Sequence, residues 1–333
     1  FFENKICWRR NQPFSFLGSA LFSGSLGVEF FLMISGYVIF YSSRNKSAKD
    51  FAVARALRLL PSYWFAIVLT TCFSYILGGE RMGVGLGQFF ANSTIFAPTL
   101  GFEYIDGVYW TLKLEVLFYS LILVFLIFGK GEKLSLFFLL WPILFSLSSY
   151  FGKLSIPFSG GYFCYFGAGA LLAMLKDRPT PWVILSLLVC MVNCIFFSTG
   201  VGIKVAIGYE FSRVIIGTVI LLFFIFFVVI SITKAGEYSI TQAKFLGGLT
   251  YPVYLIHAHI GYMLLGKFAT EQNKVLVTFS ILLLVLLMAT FMHLIIEKKL
   301  AFFWRGLFES TVGKIIGFFE SFIYKKILLK KQT

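Results

Sequence analysis

Apolar residues recur along the chain in runs of about 16 to 22, and short segments that carry most of the charges separate them. A run of about 20 apolar residues is long enough to cross the ~30 Å hydrocarbon core of a bilayer as a helix. The pattern therefore predicts an all-α protein, a polytopic transmembrane helical bundle. The nine predicted spans are 22–41, 62–78, 109–128, 134–150, 160–175, 182–198, 211–231, 246–266 and 275–296.

The composition excludes the water-soluble classes of protein. Hydrophobic residues make up 59% of the 333 residues and charged residues only 13%, against roughly 45–50% and about 25% in soluble domains. Because so few charges cannot cover a water-exposed surface, soluble enzymes, disordered chains and secreted disulfide scaffolds are excluded. The five cysteines form no C-x-x-C pair and only three histidines are present, so we expect neither a disulfide framework nor a metal site.

The net charge of +14 comes from 29 Lys and Arg against 15 Asp and Glu. In a soluble protein this excess would suggest nucleic acid as a partner. Here the basic residues lie between apolar runs, where the positive-inside rule accounts for them, so we expect the lipid bilayer and no nucleic acid. When the 42–61 loop, the segment after Glu297 and the other loops on the same side are placed in the cytoplasm, 19 basic residues lie inside and 8 outside. This asymmetry predicts a cytoplasmic C-terminus.

The segment after the last span interleaves aromatic residues with Lys, Arg and Glu. A basic amphipathic stretch of this kind usually lies on the inner membrane surface. We therefore divide the sequence into a membrane domain, 1–298, and a basic amphipathic cytoplasmic tail, 299–333, which we interpret as an anchor.

The sequence begins Phe1-Phe2-Glu3, with neither Met nor a signal-peptide pattern, and we expect the membrane domain to lack an N-terminal piece.

Ionisable side chains inside spans are candidates for function, because each costs at least ~2.5–3.5 kcal/mol at the bilayer centre. Glu115 shares a polar helix face with Thr111 and Tyr119, at i, i+4 and i+8. The alternative is an interfacial pair in which Lys113 and Glu115 extend toward the headgroups.

His257 lies near the middle of its span and follows Pro252, which can kink the helix. A neutral histidine can act as a general base at pH 7, or it can simply hydrogen-bond a neighbouring helix. Both interpretations stay open for His257. His259 and His293 have weaker sequence contexts.

Arg55 and Arg58 precede the second predicted span and share one helix face at i and i+3. Two planar guanidinium groups fixed in this way match the geometry of phosphate. Ordinary positive-inside charge is the alternative, although it does not explain the use of Arg rather than Lys so near the membrane.

Four segments occur in a distinctive order. They read G-V-E-F-F-L-M-I-S-G-Y-V-I at 27–39, R-A-L-R-L-L-P-S-Y-W at 55–64, W-T-L-K-L-E at 110–115 followed by Phe118-Tyr119, and L-G-G-L-T-Y-P-V-Y-L-I-H at 246–257. Together they resemble the motifs of the acyltransferase-3 family of integral-membrane O-acyltransferases. Glu297 is similar to the family's terminal I-E-(K/R) signature, although Lys299 replaces the usual Pro.

The resemblance implies a ten-helix domain in the bacterial inner (plasma) membrane that moves an acyl group, often acetyl, from cytoplasmic acyl-CoA to a hydroxyl of a cell-surface or lipid-linked glycan. Acyl-CoA, most often acetyl-CoA, is then a co-substrate and no cofactor is bound. The family's first span carries an Arg and a His that this chain lacks, in keeping with a missing first helix. The residues that match are His257 and Glu115 as catalytic, Arg55 and Arg58 as acyl-donor binding, and Trp110, Tyr63, Ser35 and Tyr254 as supporting residues.

Two other functions fit a bundle with buried polar groups. A transporter or flippase for a lipid-linked saccharide would line its translocation path with the same residues. It predicts no dependence on acyl-CoA and leaves the 55–64 segment unexplained. A catalytically inactive fragment is the other alternative.

Overall fold

The computed structural model describes residues 26–80, 82–151, 161–205, 213–233 and 241–332. These residues are mostly helical and contain no strand, which confirms the all-α prediction. Short 3₁₀ helices occupy Ala97–Leu100, Gly107–Tyr109 and Gly131–Lys133, and π-helical segments occupy Met292–Lys299 and Glu309–Gly313. The α-helices are, in chain order, α1 (Gly27–Ser43), α2 (Ala48–Leu77), α3 (Leu86–Asn92), α4 (Trp110–Ile127), α5 (Leu134–Phe151), α6 (Phe163–Asp177), α7 (Pro181–Val205), α8 (Arg213–Ile232), α9 (Ala243–Phe268), α10 (Lys274–Phe291), α11 (Ala301–Phe308) and α12 (Lys314–Gln332).

Each of the nine predicted spans coincides with a helix over its described residues, although the starts of the spans 22–41, 160–175 and 211–231 lie outside the described residues. In the part of the chain that the structure describes, five helical stretches are long and apolar enough to cross a membrane. The number of spans, nine, stays a prediction. The five stretches are Ala48–Leu77, Gly107–Ile127, Pro181–Gly200, Arg213–Ile232 and Lys274–Lys299.

Helix α2 begins 14 residues before the predicted span 62–78. Its first turns carry charges that interrupt the apolar pattern, but the sequence has a strong start signal. Ser47 caps the helix by accepting a hydrogen bond from the backbone N–H of Asp50 over 3.0 Å. Arg55 and Arg58 therefore lie within a continuous helix and not in the loop before it.

The chain divides into two compact units. Unit 1 comprises Phe1–Tyr41 and Ser135–Gly236, and unit 2 comprises Ser42–Leu134 and Glu237–Thr333. The predicted tail, 299–333, thus belongs to the same unit as α2, α4 and α9.

In unit 1, glycines bring α1 and α6 into close approach. A Cβ placed on Gly36 would lie 2.2 Å from the carbonyl oxygen of Phe166, and one on Gly169 would lie 2.1 Å from that of Met33. Neither position tolerates a side chain without a backbone shift. Small residues at such crossings are typical of helices that pack in membranes, because close backbones maximise van der Waals contact.

Unit 2 is built around α2, which packs against α4, α9 and the tail helices. The Trp64 ring lies 6.0 Å from the rings of both Trp304 and Phe308 in α11. At the start of α2, the Glu320 carboxylate accepts hydrogen bonds from the backbone N–H groups of Ala48 and Lys49, over 3.0 and 3.3 Å. The tail is therefore part of the packed unit.

Candidate functional site

A buried charge cluster joins α2 to α4 in unit 2. The Arg55 guanidinium carbon lies 5.8 Å from the centroid of the Phe51 ring and 5.6 Å from that of Tyr119. The Tyr119 hydroxyl donates to Oε1 of Glu115 over 2.5 Å, and Glu115 is only 5% exposed. A guanidinium, a phenol and a carboxylate thus follow one another inside the unit, and the cation–π contacts help to hold the guanidinium in place.

The polar face of α4 points into the protein. Thr111, Glu115 and Tyr119 are all buried, and successive members are about 6 Å apart along the axis at 1.5 Å per residue. Lys113, which the alternative interpretation pairs with Glu115, lies two positions away and so projects from another face.

Arg58 occupies a different environment from Arg55. Arg58 is exposed, whereas Arg55 is half-buried. The Arg58 guanidinium carbon lies 5.3 Å from the centroid of the Tyr251 ring on α9. The Tyr251 hydroxyl donates to the carbonyl of Leu59 over 3.0 Å. The two arginines therefore lie within one turn of α2, and the Arg58 side chain is the more exposed of the two.

A second polar cluster lies at the opposite end of α4. Asp106 is fully buried and caps the 3₁₀ turn Gly107–Tyr109 by accepting from the N–H of Val108 over 3.1 Å. Its other carboxylate oxygen accepts from the backbone N–H of His259 over 2.9 Å. The His259 Nδ1 atom accepts a hydrogen bond from the backbone N–H of Gly107 over 3.2 Å, and it also lies 3.2 Å from Oδ1 of Asp106.

Two hydroxyl groups lie between these clusters. The hydroxyls of Thr111 and Tyr254 are 2.6 Å apart, and each lies 3.0 Å from the carbonyl oxygen of Val108. Polar groups therefore continue from the Arg55 end of α4 to its Asp106 end.

His257 is not part of this buried network. Its side chain is exposed, and its Nδ1 lies 2.9 Å from the carbonyl oxygen of Tyr254, one turn earlier in α9. Residues two apart in an α-helix project about 200° apart, so His257 and His259 point to nearly opposite sides of α9. The structure therefore separates the predicted catalytic pair, with Glu115 in the interior and His257 on an exposed face.

A third cluster joins α2, α9 and the π-helical segment. The Ser62 hydroxyl donates to Oε1 of Glu297 over 2.7 Å, and Oε2 of Glu297 lies 2.7 Å from Nδ1 of His293. The imidazole lies against Gly248, where an added Cβ would be 2.2 Å from Cε1 of His293. Any side chain at position 248 would clash with the imidazole, so the close approach of the ring requires glycine there.

Tyr63 helps to fix the loop that carries Asp106. Its hydroxyl donates to the carbonyl of Asn92 over 2.6 Å. The Asn92 side chain in turn donates to the carbonyl of Glu103 and accepts from the N–H of Ile105, over 2.9 and 3.0 Å. Burial raises the pKa of Tyr104, in the same loop, to about 12, so this phenol stays protonated at neutral pH.

The other predicted supporting residues lie in different places. Trp110 is half-buried at the first position of α4, and Ser35 is buried in α1 of unit 1. Unit 1 also holds a buried carboxylate, Glu29, whose place in an apolar helix was not predicted to be functional. The Ser198 hydroxyl lies 3.3 Å from Oε1 of Glu29 and 2.5 Å from the Tyr165 hydroxyl.

Asp106 is the residue of unit 2 that sequence reasoning missed, since it lies in a loop between predicted elements. The sequence feature that could have identified Asp106 is an Asp followed by Gly just before an apolar helix, a pattern typical of a capping residue. Among the described residues, no three His, Cys, Asp or Glu side chains group as metal ligands. The buried and half-buried groups of unit 2 include an arginine, which can bind an anion, and carboxylates, phenols and imidazoles, which can transfer protons.

Comparison with known proteins gives one match. The family model Acyl_transf_3, described as an acyltransferase domain, matches residues 7–297. The matched region includes both ends of α4, all of α9 and the three clusters described above. No curated protein and no solved structure matches the chain.

Proposed function

The chain belongs to the acyltransferase-3 family and is a membrane acyltransferase, and we propose that it moves acetyl from cytoplasmic acetyl-CoA to a hydroxyl of a cell-surface or lipid-linked glycan. The observation that carries this proposal is the Arg55 guanidinium beside Tyr119, with Glu115 behind it. The choice of acetyl and of a glycan acceptor rests on the resemblance of the four motifs.

The donor is bound at the end of α2 that carries the arginines. The excess of basic residues in the tail and in the 42–61 segment supports a cytoplasmic location for this end. Arg58, exposed beside Tyr251, is the first group that an entering CoA phosphate meets, and a guanidinium can bind phosphate through two parallel hydrogen bonds. Arg55, deeper in the unit, would then hold the polar part of the donor next to the reacting thioester.

The transfer itself needs a base and an oriented thioester. The base removes the proton of the acceptor hydroxyl, whose oxygen attacks the thioester carbonyl carbon. As the C–O bond forms, the C–S bond breaks and the CoA thiolate leaves, taking a proton to become the thiol. Tyr119 and Glu115 form a buried, hydrogen-bonded pair beside the donor, and we call this pair the relay because it can pass a proton. His257, the base predicted from the sequence, is a separate hypothesis because it lies outside that relay.

The proposal is tested by incubating membranes from cells that produce the chain with radiolabelled acetyl-CoA, and by measuring label in the glycan fraction. Control membranes come from the same cells without the chain. We expect label that depends on the chain and is released by mild alkali, as an ester requires. Absence of label in membranes rich in glycan acceptors would overturn the proposal and favour the transporter or flippase alternative, which requires no acyl-CoA.

A further inference from the structure

Unit 1 contains a buried carboxyl group that the proposed function does not use. Glu29 lies in the first turn of α1 and is 5% exposed. Its Oε1 atom lies 3.3 Å from the Ser198 hydroxyl, whereas its Oε2 atom is buried and makes no hydrogen bond within the described residues. In the same part of the chain, no Lys, Arg or His forms an ion pair with Glu29. An ionised carboxylate here would therefore be buried without a countercharge and with one oxygen unsatisfied.

Three oxygen contacts lead away from Glu29 in a line. After the contact with Ser198, the hydroxyl oxygens of Ser198 and Tyr165 are 2.5 Å apart. The Tyr165 hydroxyl in turn lies 3.0 Å from the carbonyl oxygen of Cys194. Ser198 and Cys194 belong to α7 and Tyr165 to α6. None of the four residues is more than 5% exposed, so bulk water does not compete for these contacts.

The number of protons on this line decides the state of Glu29. Each hydroxyl has one proton to donate, and the Cys194 carbonyl can only accept. If Glu29 is ionised, two protons serve three contacts, and one contact lacks a proton in every arrangement. The contacts at 2.5 and 3.0 Å are both within hydrogen-bond distance. If Glu29 carries a proton, it donates to Ser198 and Ser198 donates to Tyr165. The Tyr165 proton is then available for the carbonyl, and all three contacts are hydrogen bonds.

The surroundings of Glu29 also favour the neutral acid. The positive end of the α1 dipole favours a carboxylate, but by less than the burial of an unpaired ion costs. On the side of α8 the neighbours are aromatic, since Phe30 contacts Phe223, Phe226 and Phe227. Within one turn of Tyr165 and Ser198, the titratable side chains are phenols and thiols, which carry no positive charge in either protonation state. They are Tyr162, Cys164 and Cys194 besides Tyr165 itself.

We propose that Glu29 is a proton-binding site, a carboxylic acid that stays neutral at pH 7 and whose proton joins α1 to α6 and α7 through Ser198 and Tyr165. Loss of the proton would leave an unpaired buried anion and one hydrogen bond fewer. Because the folded state holds this proton, the stability of the protein should fall as the pH rises through the range in which the proton is lost. Glu29 takes no part in the acyl transfer proposed above, so the two proposals stand or fall separately.

Infrared spectroscopy of the purified chain in detergent at pH 7 tests the proposal. A protonated carboxyl group has a C=O stretch apart from the carboxylate bands, and exchange into D₂O shifts it. We expect the wild-type spectrum minus that of Glu29→Gln to contain one such acid band. Ser198→Ala should shift the band, because the acid loses the oxygen that accepts its proton. Thr199→Ala is the matched control and should leave the band in place, since the Thr199 hydroxyl donates to the carbonyl of Ile195.

A difference spectrum with a carboxylate band and no acid band would overturn the proposal. If Glu29→Gln fails to fold, the shift in Ser198→Ala assigns the wild-type band, and a band unmoved in Ser198→Ala would likewise overturn it. Thermal melting is a second readout. The Gln amide keeps an N–H donor for Ser198 that does not titrate, so the wild type should lose more melting temperature between pH 7 and about pH 10 than Glu29→Gln does. The nearby phenols and thiols are present in both chains, so their titration cancels. Equal losses would contradict a proton held by Glu29.

Discussion

The Ser62 hydroxyl donates to Glu297 over 2.7 Å, although the two residues lie 235 positions apart in the sequence. The second oxygen of this carboxylate contacts His293, whose imidazole occupies the space left by the missing side chain of Gly248. A single carboxylate therefore joins α2 to the π-helical segment, and through His293 to α9. Because Ser62 follows Arg58 by one helical turn, this junction also fixes the register of the arginine-bearing face of α2 against α9.

Gly248→Ala is expected to destabilise the protein. The added Cβ would lie 2.2 Å from Cε1 of His293, so the imidazole must move and strain its bond to Glu297. Overpacking of this kind costs about 1–3 kcal/mol, more than the ~0.5–1 kcal/mol that Ala gains over Gly in a helix. We expect a lower thermal melting temperature in detergent.

The matched control is Gly247→Ala, where an added Cβ would meet nothing within 4 Å. This variant should melt at the wild-type temperature or above it. Equal melting temperatures for the two variants would show that the contact between Gly248 and His293 does not support the fold.

The all-α architecture and the positions of its apolar helices could be predicted from the sequence, because a helix that crosses lipid needs about 20 apolar residues whatever its neighbours are. The start of α2 at Ala48 was missed although Ser47 is a typical capping residue, because charges on the first turns break the apolar pattern. The second cap, from Glu320 in the tail, exists only in the folded chain. The side to which each histidine of α9 points also depends on rotation about the helix axis. Packing fixes that rotation, so the sequence could not show that His257 is exposed and that His259 contacts Asp106.

The buried face of α4 was partly predictable. The spacing of Thr111, Glu115 and Tyr119 placed them on one side of the helix, and the structure buries that side. The partner of this face was not predictable, since Arg55 reaches it only when α2 packs against α4. Asp106 was missed because a single loop carboxylate has no periodicity, and its contact with His259 exists only in the folded chain.

Arg58→Ala is expected to raise the apparent acetyl-CoA KM with little change in the maximal rate. An exposed guanidinium that binds donor phosphate contributes equally to the ground and transition states, and the loss of such binding raises KM alone. A hydrogen bond to a charged group is worth about 1.5–3 kcal/mol, which corresponds to an increase of tenfold or more. Initial rates over a range of acetyl-CoA concentrations measure this change.

Arg58→Lys should give an intermediate KM, because the charge stays but the planar fork above the Tyr251 ring is lost. Arg305→Ala, which removes an exposed charge from α11, tests whether any loss of basic charge has the same effect. If KM is unchanged in Arg58→Ala, or rises equally in Arg305→Ala, the donor site is not at Arg58.

Tyr119→Phe is expected to lower the maximal transfer rate while the acetyl-CoA KM stays within about twofold. The substitution keeps the ring beside Arg55 and removes only the hydroxyl that donates to Glu115. A buried acceptor that loses its donor costs about 1–3 kcal/mol of stability, so the melting temperature should fall moderately. Loss of a proton-transferring group should lower the maximal rate by about 10²-fold. Ser120→Ala is the neighbouring control, since its exposed hydroxyl donates only to the carbonyl of Val116. A wild-type rate in Tyr119→Phe would remove Tyr119 and Glu115 from the relay.

Glu320→Ala is expected to loosen the tail from α2. The Glu320 carboxylate occupies the positive end of the α2 dipole and accepts from the N–H groups of Ala48 and Lys49. Loss of a capping group costs about 0.5–2 kcal/mol, so the melting temperature should fall and trypsin should cleave faster at the lysines of α12. Glu320→Gln keeps an acceptor oxygen without the charge and should lie between the wild type and Glu320→Ala.

Glu309→Ala removes an exposed acidic residue from the same tail and serves as the control for charge. We expect it to melt and to be cleaved as the wild type is. If Glu309→Ala and Glu320→Ala are indistinguishable in both measurements, the tail is not held by the α2 N-terminus. It would then act as the membrane-surface anchor that its basic, aromatic sequence predicts.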